Sequence, residues 1–227
     1  MKNLKEIPDI NFRNKLKRLF YNAFENELLD INNEEIINRD RLDVSRLKIK
    51  DLTGIEYFVN LKKLDCSYNR LTSLPNLPDT LKELYCYSNE LRTLPKLPNK
   101  IKELYCHNNR LTSLPKLPKR LKKLWCSTNQ LTFLPNLSNK LKELHCYNNQ
   151  LTTLPVLPDN LETLGCSNNS LTSLPILPKR LLELYSHNNN MLPPARLPKN
   201  LKDFYWSICY RNKNNQEEGE RLEYIYD

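Results

Sequence analysis

Glycine is scarce in this chain: three residues, against fifteen prolines, among 227. With so few, nothing marks a glycine-rich oxyanion turn or a raised nucleophile, and no Ser-His-Asp hydrolase is indicated. Eighteen consecutive apolar residues occur nowhere, so no transmembrane helix is expected. The opening "MKNLKEIPDINFRNK" lacks an apolar run, which argues against a secretory signal. An intracellular setting with reduced thiols is the expectation, cytoplasmic or in the cytoplasm of a host cell. Closely spaced cysteine pairs are missing too. Zinc sites need thiolates converging from spacings such as C-x-x-C, and no two cysteines here are closer than twenty residues. Neither metal nor cofactor is expected. Acidic charge is outweighed: the net charge is +9, which allows an acidic partner without demonstrating one.

What the chain does have is a repeat. From Leu61 the unit reads "LKKLDCSYNRLTSLPNLPDT", and it recurs from Leu81, Ile101, Leu121, Leu141, Leu161 and Leu181, with a degenerate start at Leu201. Numbering each unit from its first residue, apolar side chains fall at positions 1, 4, 6, 11, 14 and 17. Asn stands at 9, and Pro at 15 and usually 18. Positions 3 to 7 alternate, as in Glu83, Leu84, Tyr85, Cys86 and Tyr87, which predicts a short strand with 4 and 6 inside and 3, 5 and 7 outside. Successive strands are expected to pair in parallel about 4.8 Å apart. The amide at position 9 sits at the turn, where it can bond otherwise unpaired backbone groups of its own and the adjacent coil. The return half, "LPNLPDT", is Pro-x-x-Pro; proline fixes φ and donates no hydrogen bond, so this side is predicted to be extended rather than helical.

This unit resembles the leucine-rich repeat, L-x-x-L-x-L-x-x-N-x-L, with Cys in the third leucine slot. The "LPxLP" return resembles the short subtype of bacterial secreted effectors that act inside host cells, and Cys-containing versions rich in Asn and Lys also resemble uncharacterised giant-virus proteins. The resemblance implies an α/β-type repeat solenoid. It would be right-handed, with a parallel concave β-sheet, an extended polyproline convex side and an N-terminal helical cap. The expected division is a cap over 1–40, about eight coils over 41–205, and a C-terminal cap or tail over 206–227. Some such effectors carry a ubiquitin-ligase domain with a catalytic cysteine after the repeats. Residues 206–227 fall far below a domain, so that activity is not carried over.

The ends are read separately. "RLDVSRLKIKDLTGIEYFVNL" fits a first coil of 22 residues, with Leu42, Val44, Ile49, Leu52 and Ile55 in the interior slots. Before it, Phe12, Leu16, Leu19, Phe20, Ala23 and Phe24 recur at helical spacing, with Asp9 as a cap. Asn32 with Glu35 reads as a second cap and capping box. The "IPDINF" stretch resembles the helical cap of bacterial surface repeat proteins, in which an acidic calcium-type loop can follow. Here "NAFENELLDINNEE" lacks Asp-x-Asp-x-Asp-Gly, so no calcium is expected. Trp206 and Ile208 are the expected plugs of the last coil.

The most regular feature is the column Cys66, Cys86, Cys106, Cys126, Cys146 and Cys166, with Cys209 outside it. Parallel Cβ vectors in stacked strands disfavour disulfide geometry, and a catalytic thiol needs exposure and a nearby base. Position 6 points inward among leucines, so the cysteines read as small buried hydrophobes.

The outward positions are the better binding candidates. Positions 5 and 7 supply Tyr85, Tyr87, Tyr105, His107, Trp125, His145, Tyr147, Tyr185, His187 and Tyr205. Exposed Tyr and Trp offer large contact area at low entropic cost. The competing explanation is a tyrosine copied by duplication and kept by cross-strand stacking. His107 and His145 are two coils apart, roughly 10 Å by strand spacing, too far for one metal. A lysine ladder runs at position 2 through Lys62, Lys82, Lys102, Lys122, Lys142 and Lys202. Lys100, Arg120, Lys140 and Arg180 flank it. Nucleic acid or an anionic surface could read it, but acids at position 3 interleave with it. The function expected is therefore non-catalytic binding of a protein partner through the concave sheet, by a monomer. Nucleic-acid binding through the lysine rim and a structural, self-associating role are the alternatives.

Overall fold

Each twenty-residue unit from Leu61 to Arg180 folds into one coil, a three-residue strand followed by a turn and an extended return. The structure, a computed structural model, describes residues 2–191, 197–205, 207–211 and 217–221. The chain divides into two compact units, Met1–Leu111 and Thr112–Asp227.

The first unit begins with strand β1 (Leu4–Lys5), helix α1 (Ile10–Leu19), strands β2 (Phe24–Glu25) and β3 (Leu28–Asp30), and the single-turn helix α2 (Glu34–Ile37). Strands β1 to β3 form a small antiparallel sheet in the order β1-β3-β2. Asp9 caps α1 as expected. Its Oδ1 accepts from the backbone N–H groups of Asn11 (2.9 Å) and Phe12 (3.0 Å). Its Oδ2 accepts from Lys50 (2.8 Å) and Asp51 (3.3 Å), so one carboxylate also ties the helix to the first coil.

Two expectations for the cap need correction. The helical run stops at Leu19. Phe20 leaves helical geometry (φ −137°) and packs on Phe58, centroids 5.9 Å apart. The chain then makes a hairpin whose turn residues Asn26 and Glu27 are left-handed (φ 45° and 67°). Leu19 and Phe24, placed on the helix by spacing, accordingly lie outside its buried face. The second cap is Asn33, not Asn32; its side chain accepts from Glu35 N–H at 2.9 Å. The carboxylate of Asp30 already holds the Asn32 N–H at 3.1 Å, which moves the helix start one residue on.

From there the coils take over. Strands β4 (Arg41–Asp43), β5 (Lys63–Asp65), β6 (Glu83–Tyr85) and β7 (Glu103–Tyr105) pair in parallel, with Leu42, Leu64, Leu84 and Leu104 in register. All five first-coil interior positions, Leu42, Val44, Ile49, Leu52 and Ile55, are buried. Gly54 closes that coil against the cap. Its φ is +110°, and a Cβ there would stand 2.3 Å from Ile7 Cδ1, so backbone and packing both require glycine.

The second unit repeats the scheme with β8 (Lys123–Trp125), β9 (Glu143–His145), β10 (Thr163–Gly165), β11 (Glu183–Tyr185) and β12 (Asp203–Tyr205). Leu124, Leu144, Leu164, Leu184 and Phe204 are in register. An antiparallel pair, β13 (Ser207–Arg211) and β14 (Glu217–Arg221), follows. The plug positions proposed above, Trp206 and the side chain of Ile208, lie outside the described residues.

Three devices hold a coil. Leucines at positions 1, 4 and 11 are fully enclosed, while those at 14 and 17 are slightly more open where the proline-rich return covers them, as Leu114 and Leu117 illustrate. The position-9 asparagines form a ladder. Asn89 Nδ2 donates to the carbonyls of Cys66 (3.0 Å), Cys86 (3.2 Å) and Tyr87 (3.3 Å), and its Oδ1 accepts from Leu71 N–H at 3.0 Å. Asn149 and Asn169 repeat this. Position 8 is left-handed throughout, with φ between 52° and 54° from Tyr68 to Asn188. Asn tolerates that conformation better than other non-glycine residues and fills the slot at 108, 148, 168 and 188.

Candidate partner-binding face

The thiol column is core. Cys66 to Cys166 at position 6 are all free and buried. Burial pushes the thiols of Cys106 and Cys166 up to about 12, and raises Cys66, Cys86 and Cys146 as well. No thiolate is available there as a nucleophile or ligand. In the next coil Ser186 takes the slot. It is 1% exposed, and its hydroxyl has no hydrogen-bond partner.

The same strands turn positions 3, 5 and 7 the other way. In the first unit the rings of Tyr85 and Tyr105 stack face to face, centroids 4.6 Å apart and planes 8° from parallel. One step along the strands, Tyr87 stacks on His107 at 4.4 Å and 9°. Tyr68 meets Tyr87 edge-on at 5.2 Å, and the Arg46 guanidinium lies 3.9 Å over the Tyr68 ring. The sequence reading missed Tyr68 and Arg46, because position 8 turns outward only through its left-handed backbone. Lys63 reaches across from the preceding coil. Its Nζ is 3.1 Å from Glu83 Oε2 and 4.4 Å from the centroid of Tyr85. The Tyr85 hydroxyl stands 3.4 Å from Glu83 and 3.3 Å from Glu103. Burial foremost, then these two carboxylates, hold that phenol above its ordinary range.

In the second unit Trp125 and His145 are 4.5 Å apart and tilted by 55°, and His145 meets Tyr147 edge-on at 6.4 Å. Lys123 pairs with Glu143 at 2.8 Å. The ring column then breaks at Gly165, where a Cβ would sit 3.0 Å from His145 Nδ1; the missing side chain makes room for the imidazole. Beyond the gap, Ser167 Oγ lies 3.0 Å from His187 Nδ1, with Tyr185 in the same coil. The Tyr205 side chain lies outside the described residues. His145 is held below its ordinary value mainly by burial, against the opposing pull of Glu143 and Glu183, and His187 by burial alone. Among the described residues no group of three or more His, Cys, Asp or Glu could hold a metal ion, and no helix is long and apolar enough to cross a membrane.

Seven of the predicted residues thus fall into two sets of touching rings: Tyr85 with Tyr105 and Tyr87 with His107, stacked, in one unit, and Trp125, His145 and Tyr147, tilted and edge-on, in the other. They are half-buried by one another rather than freely exposed. The lysine ladder is partly neutralised, Lys62 by Asp40 at 3.5 Å and Lys142 by Glu162 at 2.6 Å.

Parallel three-residue strands at a twenty-residue register, an inward Leu/Cys face and an asparagine ladder define a repeat solenoid. The chain belongs to the leucine-rich repeat family. A family pattern described as leucine rich repeats (2 copies) matches residues 59–99. The leucine-rich repeat domain of a Shigella effector superposes with a TM-score of 0.61 at 33% identity, over 68% of this chain and 71% of that one. The functional domain of InlJ from Listeria monocytogenes, which includes a cysteine ladder, superposes with a TM-score of 0.78 at 30% identity. That match covers 89% of this chain and 47% of that one. In sequence, internalin J of L. monocytogenes serotype 4b (strain F2365) is 38% identical over 68 residues, 30% of this chain and only 7% of that protein's length.

Proposed function

We propose that the protein is a non-catalytic interaction module that binds a protein partner through the concave face of its repeat sheet. The observation that carries this reading is the ring-on-ring columns at positions 5 and 7, which stand on the face opposite the buried Leu/Cys core. Stacked rings hold each other in one geometry before a partner arrives, which lowers the entropic cost of ordering them on binding. Position 3 adds charges beside the rings, Lys63, Glu83 and Glu103 in one unit and Lys123, Glu143 and Glu183 in the other, which can set register. The column's thiols are enclosed and withdrawn as nucleophiles, in keeping with a scaffold. The partner would be met inside a cell, as a neighbour described as an effector domain suggests.

Affinity capture from a host-cell lysate tests the proposal, with the Tyr105→Ala/Trp125→Ala double variant alongside. The expected result is one partner retained by the native chain at moderate salt and lost by the variant. Retention by the variant, with release between low and moderate salt and loss in Lys82→Glu/Lys102→Glu/Lys122→Glu, would instead establish the lysine rim as the binding surface.

A further inference from the structure

On the return side of the coils, positions 16 to 19 of neighbouring units frame grooves, three of which can be compared among the described residues. One, of about 520 Å³, lies between the returns at 76–79 and 96–99 and carries Glu56 and Asp79 beside Lys96. Another, of about 530 Å³, lies between 136–139 and 156–160. Asp159 is its only charged residue. The third is the largest, about 720 Å³, between 116–119 and 135–140; its charged residues are Lys116, Lys119 and Lys140, with no carboxylate.

The frame is the same in all three, so the differences come from a few substitutions. Position 18 is proline in the neighbouring units but Ser138 here. The Ser138 hydroxyl donates to Lys119 O at 2.9 Å and accepts from Lys140 N–H at 3.2 Å. Leu137, unlike Leu117 and Leu157 at the same position, is only half-buried, and with Leu117 and Pro135 it gives the groove an apolar floor. Charge is biased over the whole surrounding stretch: residues 112–142 hold seven Lys or Arg and no Asp or Glu. Lys116, Lys119 and Lys140 are exposed and enter no ion pair among the described residues.

We infer that this groove is a second binding site, independent of the concave face, for an acidic peptide segment that places an apolar side chain on Leu117, Pro135 and Leu137 and its carboxylates on the three ammonium groups. The two sibling grooves would repel or ignore the same ligand, because each carries a carboxylate. The apolar floor and the absence of an aromatic ring in the lining favour a peptide over a nucleic acid, whose bases need a stacking platform.

Fluorescence anisotropy with the full chain tests this, using a fluorescein-labelled peptide of alternating Glu and Leu. Native protein should bind it. Lys116→Glu/Lys119→Glu should weaken binding at least tenfold, whereas Lys179→Glu/Arg180→Glu, the same charge change on another return, should weaken it less than threefold. Leu137→Ser, or Ser in place of the peptide's Leu, should each cost threefold or more, while Trp125→Ala should leave binding unchanged. Circular dichroism establishes that each variant is folded; the lysine pair is exposed and does not depend on the core. The inference is overturned by equal losses in the two charge variants, which would mean general attraction to a basic chain. It is also overturned if single-stranded RNA of matched charge displaces the peptide while Leu137→Ser has no effect, or if the native chain does not bind at low salt.

Discussion

At the scale of the residue, the cysteine is the instructive case. A column of six identical thiols invites a chemical role, yet all six are buried in the leucine core, and burial raises the pKa of Cys66, Cys86, Cys106, Cys146 and Cys166. Native Cys86 and Cys106 should therefore react with a thiol reagent orders of magnitude more slowly than in the unfolded chain; rapid labelling of either would mean that the two faces of the strand are exchanged. Ser186 is the natural control. Its hydroxyl occupies the cysteine slot without a partner, and burying such a group costs roughly 1–3 kcal/mol. Ser186→Cys should raise stability by about 1 kcal/mol in urea unfolding, and an unchanged midpoint would contradict the assignment. The histidines allow a pH test. Burial lowers His145 and His187 below the ordinary value near 6.5, so between the two values the unfolded chain binds more protons. Their contribution to stability is complete above pH about 6.5 and is lost as pH falls through their folded values. NMR titration should find both midpoints under 6.5; a midpoint above it for His145 would show that Glu143 and Glu183 outweigh burial.

At the scale of the element, the coil is held by polar side chains that replace hydrogen bonds a three-residue strand cannot make. Asn149→Ala would strip partners from the carbonyls of Cys126 and Cys146 and from the N–H of Leu131 together. It should cost on the order of 3 kcal/mol, against a few tenths for the exposed neighbour Gln150→Ala, in the same unfolding assay. Much of this level was legible in the sequence. The period fixed the strand register, the alternation fixed which side of Glu83 to Tyr87 is buried, and Asn at position 9 implied its ladder. Asp9 was legible as a cap, but not as the link to Lys50 and Asp51, because that bond joins residues some forty positions apart. The hairpin at Phe24 to Asp30 was missed because Phe20, Ala23 and Phe24 keep a helical spacing. What ends the helix there is the packing of Phe20 on Phe58, a tertiary contact that no local pattern contains. The left-handed position 8 left only a weak trace, Asn at four coils and Tyr, Ser or Thr at others.

At the scale of the whole molecule, the repeat gives its faces different chemistry. The inward face carries only packing, and the outward strand positions carry rings and charge. The return side keeps its Leu-Pro frame and varies at positions 16, 19 and 20, with one change from Pro to Ser138 in the stretch that carries only positive charge. That separation is why the fold could be read with ease and a partner could not: the scaffold constrains positions 1, 4, 6, 9 and 11, and the residues proposed for recognition stand where the scaffold leaves the choice free. Stacking alone could account for the aromatic columns, so the decisive measurement must read those rings in a complex. Hydroxyl-radical footprinting of the chain, free and saturated with its captured partner, does this directly. Binding through the proposed face predicts at least threefold lower oxidation at Tyr87, Tyr105, Trp125 and Tyr147, with Tyr21, Phe133 and Ile176 unchanged. Unchanged oxidation of the four outward rings, with protection confined to Phe133 and Ile176 on the return side, would contradict it.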